Sequence, residues 1–251
     1  MKKVLLVIFL LPAVFSAYEL GLLHMEVPSP LPKMSAEFDM EHRFYGSLTD
    51  DPFSSLFGLY YGANSYLALK FAPIKGLEIS CGRKSTDQEW TAGVSYSHRF
   101  PAAFIRGRLG IEFFTYNDPE VENNPANFFY QVGLQSEPIL GRIKPVVTAA
   151  FDGYNQRFGL GAGISVLAFQ YVWYFEEISL LAEYYPVFGR EGQTWLGERN
   201  AFVIGLGLST SGHQFLLSVG NTWDVSARRL MLGTSSDGLH IGLGIKRVFK
   251  F

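Results

Sequence analysis

The chain has 251 residues, a formal net charge of −2 and one cysteine, Cys81. A near-neutral chain offers no bulk attraction to nucleic acid or to an acidic surface, and a lone cysteine excludes an intrachain disulfide and a cysteine-rich metal site. Aromatic residues make up 16% and charged residues only 18%, with 26 glycines; a soluble domain carries nearer ~25% charge, so the balance points to a β-barrel whose outside meets lipid.

The chain opens on export features. Lys2 and Lys3 precede an unbroken apolar run, Val4 to Leu11, ended by Pro12. That run is far short of the ~20 residues that span a bilayer and has the length of a signal-peptide core. Small residues follow at Ala13, Ser16 and Ala17. Cleavage after Ser16 leaves Val14 three positions back, whereas cleavage after Ala17 leaves bulky Phe15 there, so Ser16 is preferred. Residues 1–17 are expected to be a signal peptide, with no cysteine nearby to carry a lipid anchor. Residues 18–34 hold Pro28, Pro30 and Pro32, which disfavour a central strand; they are expected to form a periplasmic arm or a small plug.

From residue 35 the pattern has period two. Glu89 to Phe100 sets Trp90, Ala92, Val94, Tyr96, His98 and Phe100 against Glu89, Thr91, Gly93, Ser95, Ser97 and Arg99. Alternation of this length is a strand between two unlike environments. Twelve such runs are expected, at about 35–44, 63–72, 77–84, 89–100, 104–116, 128–137, 144–154, 159–170, 177–187, 200–210, 213–222 and 238–251. In the eighth the alternation fails over Leu167 to Phe175, which is aromatic and apolar but for Gln170, so a longer strand or a bulge is expected over 166–176.

The polar face leans to glycine, serine, threonine and sparse charges of both signs, with Gly159, Gly161 and Gly163 in one row. The outer face of a soluble sandwich is instead rich in Lys, Glu and Thr. Small residues suit the crowded inside of a curved, closed sheet. The apolar face avoids charge, as a lipid-facing surface must, since an Arg or Lys at the bilayer midplane costs ~2–4 kcal/mol. By the same assignment Val94→Arg is damaging and Ser95→Arg is tolerated if the lumen has room. The segments after odd-numbered runs are mostly long, and those after even-numbered runs are short turns such as Pro73-Ile74-Lys75-Gly76. That sorting marks a transmembrane antiparallel up-and-down barrel over residues 35–251, with both termini in the periplasm. Phe251 ends the chain, with Phe249 two residues earlier; this ending resembles the signal that barrel-assembly machinery reads.

Several segments resemble one family of outer-membrane β-barrel proteins of Bacteroidota-type bacteria, a membrane-bound β-barrel domain of unknown function. The carriers are Glu41-His42-Arg43-Phe44 with Gly46, Leu56-Phe57-Gly58-Leu59, Gly62-Ala63-Asn64, Gly82-Arg83-Lys84-Ser85 and Ala182-Glu183-Tyr184-Tyr185-Pro186. Gly220-Asn221-Thr222, Gly233-Thr234, Ile241-Gly242-Leu243 and Arg247-Val248-Phe249 fit too, in the same order and spacing. The resemblance covers roughly residues 32–251. It implies the fold and the outer membrane of a Gram-negative bacterium, and no reaction.

The chief polar constellation falls on the lumen face of the first five runs: Glu37, Asp39, Glu41, Arg43, Lys70, Glu78, Glu89, Arg99, Arg106, Arg108 and Glu112. It reads either as a ladder of paired charges filling a narrow barrel or as a selectivity lining for a small polar solute. No catalytic motif appears: Ser97 and His98 are adjacent and so face opposite ways, His213 lies in a turn near Ser209 and Ser211, and His240 faces the lumen. Asn117, Asp118, Glu120, Glu122 and Asn123 are weak candidates for calcium. No enzyme, cofactor, metal or nucleic-acid partner is expected. The partners expected are the bilayer, the assembly machinery and a small polar solute. Three functions follow: a narrow channel or small-solute transporter, a closed structural or surface-interaction barrel with long outer loops, and, least favoured, a lipid-modifying enzyme.

Overall fold

A computed structural model describes residues 22–50, 52–115, 126–188 and 197–251. Twelve antiparallel strands close into one barrel, each paired with its sequence neighbours and the last with the first. They are β1 (Ser35–Phe44), β2 (Ala63–Ile74), β3 (Leu77–Lys84), β4 (Glu89–Arg99), β5 (Ala103–Phe114) and β6 (Asn127–Ser136). β7 (Ile143–Asp152), β8 (Arg157–Val172), β9 (Phe175–Tyr185), β10 (Ala201–Ser209), β11 (His213–Gly220) and β12 (His240–Lys250) complete the ring. These bounds fall within about three residues of the periodic runs, because period two is a local property of the strand itself. The barrel closes where Ala36 pairs with Phe249 and Arg43 with Gly242.

Two ends of the barrel differ. One carries the short turns and the flanks Ser35 and Lys250 of the first and last strands, and is called here the turn end; the other is the loop end. The expected irregularity at the eighth run is present: β8 extends to Val172, and its register with β9 shifts between Leu167 and Phe169.

Burial alternates with the pleat. Leu69, Ile79, Val94, Leu109, Val132, Val147, Leu180, Ile204 and Leu217 are exposed on the outer face. Aromatic rings gather on that face toward the loop end: Trp90 stacks on Phe113 with centroids 6.3 Å apart, and Tyr130, Phe151 and Phe158 form a three-ring cluster. An apolar band bordered by aromatics is the surface of a barrel that stands in lipid.

The interior is filled by two pieces of chain. Residues 22–34 enter from the turn end ahead of β1. The segment 221–239, between β11 and β12, folds in from the loop end and carries a one-turn helix, α1 (Ala227–Leu230). Leu22, Leu23 and Met25 from the first piece and Ala227, Leu230 and Met231 from the second bury in one cluster with Val146, Ala150, Leu181, Tyr185, Ala201, Val203 and Leu216 of the wall. The lumen is therefore two-sided. The wall from β7 to β11 is apolar and glycine-rich, whereas β1 to β5 and β12 carry most of the charge.

Candidate functional site: the filled lumen

The glycine row of β8 shows how the wall admits the inner segments. A Cβ at Gly159 would stand 2.4 Å from Met231 Cβ, one at Gly161 2.5 Å from Met25 Cε, and one at Gly163 2.5 Å from Leu22 Cδ1. Each glycine leaves room for one side chain of an inner segment, a close approach that a larger residue forbids.

Residues 22–34 are also held through charges, from both sides of the lumen. Glu183 on β9 accepts from the backbone N–H groups of His24 (2.8 Å) and Met25 (2.9 Å), from His24 Nδ1 (3.0 Å) and from the Tyr185 hydroxyl (2.8 Å). Four donors on a buried carboxylate compensate much of the cost of removing it from water. Arg43 donates to His24 Nε2 at 3.0 Å and to Ser218 and Thr222. Glu26 pairs with Arg108. Burial favours the neutral carboxyl of Glu26, but Arg108, Lys70, Arg106 and Lys246 together outweigh it and hold the pKa at about 2. Arg106 donates to Val27 O at 2.8 Å and to Ser95 at 3.1 Å, and it pairs with Glu78, which also accepts from Leu31 N.

The second inner segment is held in the same way. Arg228 of α1 contacts three wall carboxylates, Glu89, Glu112 and Asp152, and Arg229 reaches the same three at 3.1–3.4 Å. Lys84 bridges Glu89 and Asp224, both at 3.2 Å. Phe129 lies under Arg108 and Arg228, with the guanidinium carbons 5.2 and 4.9 Å from its ring centre. Between the two inner segments a cavity of about 80 Å³ remains, lined by six carboxylates and six Lys or Arg side chains. That is room for a few waters, and the balanced charge of its walls favours neither a free cation nor a free anion.

Of the residues expected in the lumen, Glu37 pairs with Lys70 at 2.9 Å, and Asp39 and Glu41 each lie 3.6 Å from Lys246. Arg43, Glu78, Glu89, Arg106, Arg108 and Glu112 stand in the contacts above. Arg99 lies apart: it is two-thirds exposed at the turn end, pairs with Glu137 at 2.9 Å and covers the Phe104 ring. Phe249 is on the outer face opposite Ala36, and Phe251 is exposed with its N–H bonded to Met34 O. The sequence reading missed His24, Glu26, Lys84, Asp152, Glu183, Arg228, Arg229 and Lys246. Lys246 had a signal, a charge on the small-residue face of the last run. The residues of the inner segments had none, since no periodicity tells an inward loop from an outward one.

The histidines hold structure together. His98 stacks edge-on against Phe100 on the outer face, while Ser97 is buried. Ser236 and His240 are 2.6 Å apart, and His240 Nδ1 faces the carbonyls of Phe44 and Gly46. This has the donor order of a nucleophilic dyad, but both side chains are buried and Ser236 Oγ also accepts from Gly238 N. It staples the 221–239 segment to the start of the first loop. The calcium candidates at 117–123 and the signal-peptide residues lie outside the described residues.

Residues 144–249 match the family model described as Membrane bound beta barrel domain (DUF5777). No curated protein is similar to the chain at a significant level. Among solved structures, the NanC porin superposes with a TM-score of 0.53 at 9% identity, over 85% of this chain and 100% of the porin. A mutant porin of Rh. blastica gives 0.40 at 11% identity, over 74% of this chain and 55% of its own. OprB of Pseudomonas putida gives 0.35 at 11% identity, over 84% and 70%. At such identities the NanC likeness speaks for the fold alone. The chain is a membrane β-barrel of twelve strands.

Proposed function

We propose that this chain is an outer-membrane β-barrel stoppered from both ends by its own chain, with both termini in the periplasm of a Gram-negative bacterium of the Bacteroidota type. Its work is then done at its surfaces and long loops, without catalysis, rather than by free diffusion through a pore. The observation that carries this reading is the double filling of the lumen, with Glu183 gripping the 22–34 segment and Arg228 gripping the wall. Buried charges that pair in this way make opening costly, because withdrawing one partner strands the other.

A narrow solute path is the second reading, favoured by the polar cavity between the stoppers. It needs residues 22–34 to withdraw toward the turn end. Planar-bilayer recording separates the two. The mature chain should be silent, and a variant lacking residues 22–33, which leaves β1 intact, should stay silent while the 221–239 segment fills the loop end; ohmic steps from that variant favour the solute path. Steady steps from the mature chain overturn the closed reading. In either reading residues 1–17 are removed on export, and Phe249 and Phe251 are offered to the assembly machinery.

A further inference from the structure

Strand β8 has 16 residues, whereas the other strands have 8 to 12. An apolar band ~25 Å tall, crossed at about 40°, takes roughly ten residues. β8 therefore outruns the band. Its last pair with β7 is Val166 with Ile143, followed by Leu167 N bonded to Arg142 O at 2.9 Å. On the other side the last pair of β9 with β10 is Glu177 with Ser209. Residues 168–176 thus form a two-stranded ribbon at the turn end, with no third strand beside it among the described residues.

The ribbon is aromatic and, from Ile164 to Phe175, carries no charge. Tyr171 is 83% exposed, Trp173 92% and Tyr174 91%. The register shift between Leu167 and Phe169 bends the ribbon where it leaves the sheet, and Tyr171 and Trp173, with φ values of 55° and 56°, shape the turn that closes it at Val172 and Phe175. A two-stranded hairpin in water is marginal by itself, and one that exposes aromatic rings invites aggregation. The support it needs is adjacent. Phe158, Leu160 and Ile164 form an outward column on β8, and Phe169 continues it, paired with Ile178 just beyond outward-facing Leu180. The lipid-facing surface runs into the ribbon with no charge before Glu176, the second residue of β9.

We infer that residues 168–176 are an interfacial anchor, seated in the headgroup layer of the phospholipid leaflet at the turn end. Trp and Tyr, with apolar rings and a polar edge, settle at that level of a bilayer. The anchor depends on the barrel standing in a membrane and not on whether the lumen is closed.

The test is tryptophan emission from the chain refolded into phosphatidylcholine vesicles with acyl chains brominated near the headgroup. Subtracting the emission of Trp173→Phe isolates Trp173, and subtracting that of Trp90→Phe isolates a lipid-facing residue of β4. Heat-modifiable mobility on gels checks that each variant is folded. Brominated lipid should quench Trp173 to an extent comparable to Trp90, and aqueous acrylamide should reach Trp173 poorly. Quenching of Trp90 alone, with Trp173 open to acrylamide, overturns the anchor and leaves the ribbon in water for a protein partner. Protection of Trp173 from both quenchers overturns it in favour of a contact with a second copy. Loss of quenching at both residues removes the membrane insertion on which the anchor rests.

Discussion

Arg43 donates to the Nε2 of His24 across 3.0 Å. A guanidinium has no acceptor, so Nε2 must present its lone pair; Nδ1 then carries the proton and donates to Glu183. His24 is therefore held neutral, with its tautomer set by two neighbours from opposite walls. Burial lowers its pKa below the ordinary 6.5, against the opposing pull of Glu183; Arg43 and Lys246 push the same way as burial, and Glu41 lies 3.7 Å off.

The pH dependence follows from that lowered value. Above 6.5 the imidazole is neutral whether the segment is docked or free, and the contact is at full strength. As pH falls, the free segment takes up its proton first and the docked one resists, so the contribution is lost through the lowered native value. Release of residues 22–34 from the lumen, read as their cleavage by protease added to vesicles, should therefore rise as pH falls below 6.5. His24→Gln should shrink the pH response, because an amide can accept from Arg43 and donate to Glu183 without titrating. A wild-type profile that matches the variant removes His24 from the contact.

Arg228 is the centre of the second stopper. Arg228→Met leaves Glu89, Glu112 and Asp152 with fewer partners in a buried site, and breaking such a set costs about 3–5 kcal/mol. Urea unfolding from vesicles should show it. Arg229→Met should cost less, since its contacts with the same carboxylates are all 3.1 Å or longer. Equal effects would mean that Arg228 has no special part in the site.

The two faces of β4 give a paired test. Val94 is half exposed on the outer face, and Val94→Arg should cost ~2–4 kcal/mol if it stands near the midplane. Ser95 is buried beside Arg106, which also holds Val27 O. The lumen has no room there, so Ser95→Arg is not the tolerated change. It should crowd Arg106 and expose the 22–34 segment to added protease, whereas Val94→Arg should lower unfolding stability and leave that segment protected. The reverse pattern would exchange the faces.

The C-terminal aromatics make a prediction about biogenesis. Phe251 contributes little packing, being 80% exposed. Its removal should therefore leave the refolded barrel as stable as wild type in vitro but reduce the heat-modifiable form recovered from outer membranes. An unchanged yield from cells would show that the terminal Phe is not read.

The sequence alone determined the strands, their number, their inner and outer faces and the closure of β12 on β1. Period two is written residue by residue, and an apolar outer face tells lipid from water without any long-range knowledge. It also placed most of the charges of β1 to β5 inside, but put Arg99 there too, which stands exposed at the turn end. Only the tertiary structure decided what those charges meet. His24 lies 159 residues from Glu183, and Arg228 lies 139 from Glu89. Such pairs exist only after the barrel has closed around both inner segments. The glycines of β8 show the same division. Their spacing marked a crowded inner face, but that the crowding comes from Leu22, Met25 and Met231 depends on where two irregular segments turn inward, and irregular chain has no period to read.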